Sequence, residues 1–212
     1  MNEIVKQLYP DIDEKLLSIK NVISEKVIIK LQFPDNKSKN LDQRVIAGQI
    51  EEQFVNITTK EIKNSFPPKS VKSTEDVSLE YDWGKILIDV KTSDVNRDFS
   101  MPNLISISKL KEEYNKMYLL YCFINYCNKQ KKILNVNLFY IWELPWRFLH
   151  IENLGKGQLQ IKNMKDCHSN MNNSNFTTFS KEDWYNDLIL NGEEFYKDLI
   201  IKTNKRLIEW RK

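Results

Sequence analysis

The sequence predicts an α/β fold with a mixed central sheet flanked by helices, on three observations: apolar residues at helical spacing near both ends, a hairpin pattern between them, and a long apolar run following it. Ile12, Leu16, Ile19 and Ile23 recur at helical steps behind Asp11, so an amino-terminal helix is expected, ending near Lys26. A second helical pattern runs from about Leu41 to Val55, before Pro67-Pro68 imposes an extended break. From Asp76 to Thr92 the chain reads DVSLEYDWGKILIDVKT, two strand-like runs about Asp82-Trp83-Gly84-Lys85, with glycine where a positive φ is cheap. After Met101-Pro102, the segment NLISISKLKEEYNKM has the spacing of a helix packed on the sheet. YLLYCFINYC reads as a buried strand, and ILNVNLFYIWEL, beyond the basic turn at Lys129 to Lys132, as its partner, so the sheet has four or more strands. Between Pro145 and Thr178 the chain is polar and rich in Asn and Lys, which predicts long surface loops. A last helix starts at Ser180, an N-cap with Asp183 three residues on. No internal repeat or linker divides the sequence, and one domain, 1–212, is expected.

Composition narrows the class. With 41% hydrophobic residues, 11% aromatics, 5 Gly and 6 Pro, a collagenous, low-complexity or disordered chain is excluded. No apolar run approaches the ~18 residues of a membrane span, and the stretch MNEIVKQLYPDIDEK is charged where a signal peptide is apolar, so an unexported, cytoplasmic protein is expected. Cys122, Cys127 and Cys167 lack the paired spacing of a zinc site or a disulfide framework, and His150 and His168 are too few for a histidine-metal nuclease. The net charge of +3 is compatible with a polyanionic partner without demanding one.

The hairpin carries the chemistry. A turn at Trp83-Gly84 with Asp82 facing Lys85 sets Asp76 opposite Lys91 and diagonal to Asp89, roughly 7–8 Å between backbones. Asp89 and Lys91, two apart, share one face of their strand. Two carboxylates so placed offer hard oxygens suited to Mg²⁺, which keeps several waters and needs few protein ligands. Lys91 beside them can hold the nucleophile, stabilise the charge of a transition state, or help deprotonate a water, a set suited to phosphodiester hydrolysis. The same Asp-x-Lys pattern also serves as a surface ion pair. Asp82, in the turn, and Asp94, beyond the strand, read as exposed loop residues.

Asp76, then twelve residues, then Asp89-Val90-Lys91 resembles the motif of the PD-(D/E)xK nucleases, with Glu75 where the motif's proline stands. The run LIDVKTSDVNRDFSMPNLISISKL is similar to the corresponding stretch of the EcoRV-like branch of type II restriction endonucleases. AGQIEEQFV, from Ala47 to Val55, is similar to that branch's helix bearing an accessory glutamate, and SKEDW from Ser180 to its final helix start. The resemblance implies a restriction-endonuclease-like core. It implies Asp76 and Asp89 as metal ligands, Lys91 as the catalytic lysine and Glu52 as the accessory acid, with Glu51 the alternative. It implies Mg²⁺ as cofactor, with Mn²⁺ able to substitute, and double-stranded DNA cut to blunt ends with 5′-phosphates at a palindromic site. It further implies a homodimer with its dimerisation segment in 1–40, paired in function with a cognate DNA methyltransferase.

The same resemblance places a minor-groove loop at Arg97 to Asn103, where Ser100, Met101 and Asn103 are candidates for DNA contact. Asn153, Gly155, Lys156, Gly157 and Gln158 are the major-groove candidates, since glycines permit close approach and Asn, Lys and Gln match base donors and acceptors. Alternative expectations are a structure-selective or non-specific nuclease of the same motif, and a DNA-binding protein without chemistry.

Overall fold

The computed structural model describes residues 9–34, 42–70, 73, 75–96, 103–113, 117–152, 157–162, 167 and 180–210. In chain order the elements are α1 (Ile12–Lys26), α2 (Gln43–Glu61), β1 (Ser65–Phe66), β2 (Val77–Tyr81), β3 (Gly84–Asp94), β4 (Asn103–Ser106), α3 (Ile107–Glu113), β5 (Met117–Cys127), β6 (Lys132–Tyr140), β7 (Leu149–Glu152), β8 (Gln158–Ile161) and α4 (Lys181–Trp210). The class is therefore mixed α/β. The chain gathers into two compact units, 1–100 with 114–141 and 101–113 with 142–212, although no composition shift marks a division. No helix among the described residues is long and apolar enough to cross a membrane.

The first unit is built on a five-stranded sheet in the order β1-β2-β3-β5-β6. All its pairs are antiparallel except β3 with β5, which run parallel over the whole of both strands, so the sheet is mixed. A parallel pair needs a crossover of a dozen or more residues, and the chain between Asp94 and Met117 supplies it. β5 is central and buried throughout except at Met117, which is why its sequence is continuously apolar rather than alternating. α1 buries Ile12, Leu16, Ile19 and Ile23, and the Tyr140 hydroxyl donates to the Leu16 carbonyl at 2.9 Å. α2 buries Ile46, Ile50, Phe54 and Thr58, each one turn from the next. Each of the large apolar side chains on these faces contributes about 1.5–3 kcal/mol by leaving water. Asp42 caps α2 by accepting the Arg44 N–H at 3.0 Å, and the helix runs to Glu61, beyond the expected end at Val55.

The hairpin forms with a register different from the expected one. The loop is Asp82-Trp83, so Tyr81 faces Gly84 and Glu80 faces Lys85. The Trp83 ring stacks on Tyr81 at 4.9 Å and leans on Tyr118 at 5.9 Å, which holds it in the loop rather than in the strand. The correction slides the strands by two residues. With a side-chain period of two, each residue keeps its face while its partner changes. Gly84 adopts φ +155°, and a Cβ there would stand 3.0 Å from the Tyr118 ring.

The second unit holds a three-stranded antiparallel sheet in the order β4-β8-β7. Two expectations are corrected here. Asn103 to Ser106 is a strand, with the helix starting only at Ile107, and the stretch expected as loops after Pro145 contains β7 and β8. Strands of four residues carry almost no periodic signal, and β4 finds β8 more than fifty positions away. α4 begins as expected, with the Ser180 hydroxyl accepting the Asp183 N–H at 3.0 Å. Trp184 is buried, donates from Nε1 to the Leu144 carbonyl at 2.8 Å, and stacks with Trp146 at 5.2 Å.

Replacing Gly84 with alanine is expected to lower stability by about 1–3 kcal/mol, through backbone strain and contact with Tyr118, without altering secondary structure content. Chemical denaturation of the two proteins side by side measures it.

Candidate active site

Asp89 and Lys91 sit in β3 where it pairs with β5, just beyond Ile88, where its ladder with β2 ends. Being two apart they share a face, and the Lys91 Nζ donates to Asp89 Oδ1 at 2.6 Å. Asp76 stands one residue before β2 and is fastened to β3 twice. Its N–H donates to the Ile88 carbonyl at 2.9 Å, and its Oδ2 accepts the Val90 N–H at 2.7 Å. The two bonds bracket Asp89, so the corrected register sets Asp76 abreast of Asp89 rather than of Lys91. Three of the residues singled out from the sequence therefore come together.

The third acid of this cluster is Glu51. Glu52 is exposed, whereas Glu51 is half-buried, feels the charges of Asp76 and Lys91, and takes a hydrogen bond from the Thr92 side chain. Helical phase is the reason. At about 100° per residue, Glu52 lies roughly 160° from Phe54 and faces away from the buried stripe, while Glu51 lies within about 60° of Phe54. The buried positions Ile46, Ile50, Phe54 and Thr58 make this readable from the sequence once the stripe is recognised.

Asp94 is corrected as well. It is the last residue of β3, only 5% exposed, and accepts the Asn96 N–H at 3.1 Å and the Asn96 Nδ2 at 2.7 Å. Gln43 Nε2 donates to its other oxygen at 3.2 Å. Those bonds close the strand end, a structural use of the carboxylate. Asp82 is exposed in the turn, as expected, and Cys122, Cys127 and Cys167 are all buried.

Electrostatics make the cluster unusual. Burial pushes the Asp89 carboxyl up to about 7 even against the opposing pull of the Lys91 ammonium, and the charges of Asp76 and Glu51 add to the rise. Burial likewise pushes Glu51 up to about 7, with Asp76 adding to it. Three carboxyl groups thus share one lysine, leaving an excess of negative charge in a poorly solvated place. That donor set fits a hard divalent cation such as Mg²⁺. Among the described residues no group of three or more His, Cys, Asp and Glu is arranged to hold an ion, so the protein's share would be the Asp76 and Asp89 oxygens, with water completing the shell.

Of the groove candidates, Ser100, Met101, Asn153, Gly155 and Lys156 lie outside the described residues. Asn103 opens β4, is exposed, and accepts a hydrogen bond from Gln160 Nε2 on β8. Gln158 is half-buried and faces Ser106. The described members of the two segments are therefore neighbours on one small sheet. Gln160, absent from the candidates, was hidden because its strand was read as loop. Gly157 is buried at φ +75°, a conformation that favours glycine, and a Cβ would also press on Phe195 at 3.0 Å and Ile107 at 3.1 Å, so the fold accounts for glycine there.

Because the folded chain holds the Asp89 proton to higher pH than the unfolded chain, native protein binds more protons between about pH 4 and 7, and stability falls as pH rises across that window. In chelator, denaturant melts should show this loss complete above about pH 7, and Asp89→Asn should reduce it to the share that Glu51 contributes. Adding Mg²⁺ should restore more stability at alkaline than at acid pH, since the cation competes with the proton.

No protein-family model matches this chain and no curated protein matches it, so the reading of the site rests on the placement and charge of its own residues.

Proposed function

We propose that the chain is a Mg²⁺-dependent, sequence-specific DNA endonuclease of the PD-(D/E)xK kind, with a restriction-endonuclease-like core. The observation that carries this reading is the bracketing of Asp89 by the two Asp76 bonds, with Lys91 on the same face. In this reading a water attacks phosphorus, the P–O3′ bond breaks, and the products are a 5′-phosphate and a 3′-hydroxyl once the leaving oxygen has taken a proton. Mg²⁺, when bound, supplies Lewis acidity and neutralises charge on the phosphoryl oxygens. Asp76 and Asp89 hold it. The Lys91 ammonium stays beside the reacting centre, where it orients the attacking water and stabilises developing negative charge. Glu51 occupies the accessory position in place of Glu52. Substrate is double-stranded DNA at a palindromic site, cut to blunt ends by a homodimer, with a cognate methyltransferase protecting the host's own sites. The exposed Asn103, braced by the buried Gln160 that donates to it, supports sequence reading, since an amide side chain matches a donor and an acceptor on a base edge.

Plasmid DNA digested with Mg²⁺ should give discrete bands, and sequencing the ends should return one site and one stagger. A smear would favour non-specific cutting, and no cleavage with tight DNA binding would favour a protein without chemistry. Lys91→Ala should lose cleavage by several orders of magnitude and keep binding, because affinity comes from phosphate and groove contacts elsewhere. Asp89→Ala should also stop cleavage while tightening metal-free binding, by removing a negative charge near the DNA phosphate. Paired gel-shift and single-turnover assays read both; rates within about tenfold of the parent would place the active site elsewhere. In the same assays Glu51→Gln should slow cleavage about 10–100-fold, and Glu52→Gln should leave it within about threefold.

A further inference from the structure

The carboxyl-terminal helix is left half uncovered. α4 buries Lys181, Trp184, Leu188 and Gly192, and from Glu193 to Trp210 no residue is buried. That stretch is about 27 Å of helix. Helices in proteins are held mainly by packing an apolar face. Such a face exists. Ile189, Tyr196, Ile200, Leu207 and Trp210 fall on one stripe at alternating steps of four and three once Glu193 and Thr203 are included, the repeat that brings helices together side by side. Ile200 is 60% exposed, Leu207 46% and Trp210 85%. Where the stripe reaches the body of its unit it opens into an apolar groove of about 370 Å³ lined by Ile107, Tyr185, Ile189, Gly192 and Tyr196. Gly192 leaves the floor of that groove without a side chain.

Charge is divided along the same helix. The first half carries Glu182, Asp183, Asp187, Glu193 and Glu194 against Lys181 alone, and the second half carries Lys197, Lys202, Lys205 and Arg206 against Asp198 and Glu209. Two such helices side by side in the same direction set like against like. In opposite directions each basic half lies along an acidic half, and two-fold symmetry repeats the match. We infer that α4 pairs antiparallel with α4 of a second copy of this chain, the Leu207 and Trp210 end of one lying over the groove at Ile189 and Gly192 of the other. A polyanion is a poorer occupant, because the stripe is apolar and the groove lining is mainly apolar, with Glu193 set among Lys111 and Lys197. The proposed function also calls for a homodimer; the pairing adds where two copies meet, is argued from α4 itself, and is read from association rather than from cleavage.

Sedimentation of the full chain over a range of concentrations should show a monomer–dimer equilibrium. Ile200→Glu with Leu207→Glu should raise the dimer dissociation constant by at least about tenfold, as expected for charges placed in an apolar seam. Reversing Lys202, Lys205 and Arg206 to Glu should weaken the dimer, and adding Glu193→Lys and Glu194→Lys to that variant should restore it, which only the antiparallel arrangement allows. All seven positions are exposed, so the fold should persist, with circular dichroism as the check. A monomer at every concentration, a dimer that none of these variants weakens, or charge reversal without rescue would overturn the proposal.

Discussion

Everything at the candidate site depends on how β3 is held. It has β2 antiparallel on one side and β5 parallel on the other, so neither Asp89 nor Lys91 can shift without breaking a ladder. Asp76 adds a side-chain rung to the same ladder by accepting the Val90 N–H. The carboxylate is thereby placed by a backbone group rather than by a mobile partner. That is the economy of a site built on a strand, where position comes from hydrogen bonds that the sheet must make in any case.

Against that rigidity stands an electrostatic cost. Burying carboxyl groups around one ammonium raises their proton affinity, and Asp89 keeps a high affinity for its proton although Lys91 is in contact with it. A sheet optimised only for stability would replace the cluster with packed apolar groups, since a buried ion pair seldom repays its desolvation. Strain of this kind is what a cation-binding or proton-handling site is expected to store. By contrast Asp94, also buried on the same strand, accepts hydrogen bonds from Gln43 and Asn96 on its two oxygens. Two aspartates five residues apart thus meet opposite surroundings, one among like charges and one among amide donors.

The second unit shows a different use of the same elements. Gly157 is required by its left-handed backbone, with Ile107 and Phe195 packed close to it, while the exposed Asn103 presents an amide group from a small sheet, braced by the buried Gln160. Along α4 the burial of Trp184 and Leu188 gives way after Gly192 to a face that nothing in the described chain covers. Packing, polar display and an uncovered stripe therefore occupy successive stretches of one unit.

Where a segment's neighbours are close in the chain, sequence alone determined the outcome. The stripe of α1, the hairpin, the apolar run of β5 and the Ser180 cap were legible because periodicity, turn chemistry and capping act over a few residues, and the pairing of Asp89 with Lys91 follows from the two-residue period of a strand. Tertiary structure decided the rest. The loop at Asp82-Trp83 was chosen by Trp83 stacking on Tyr81 and Tyr118, the second of which lies more than thirty residues on. The strand nature of Asn103 to Ser106 came from β8. Asp94 looked like a loop residue until Gln43 reached it. In each case the deciding partner is distant in sequence, so its influence leaves no local pattern to read.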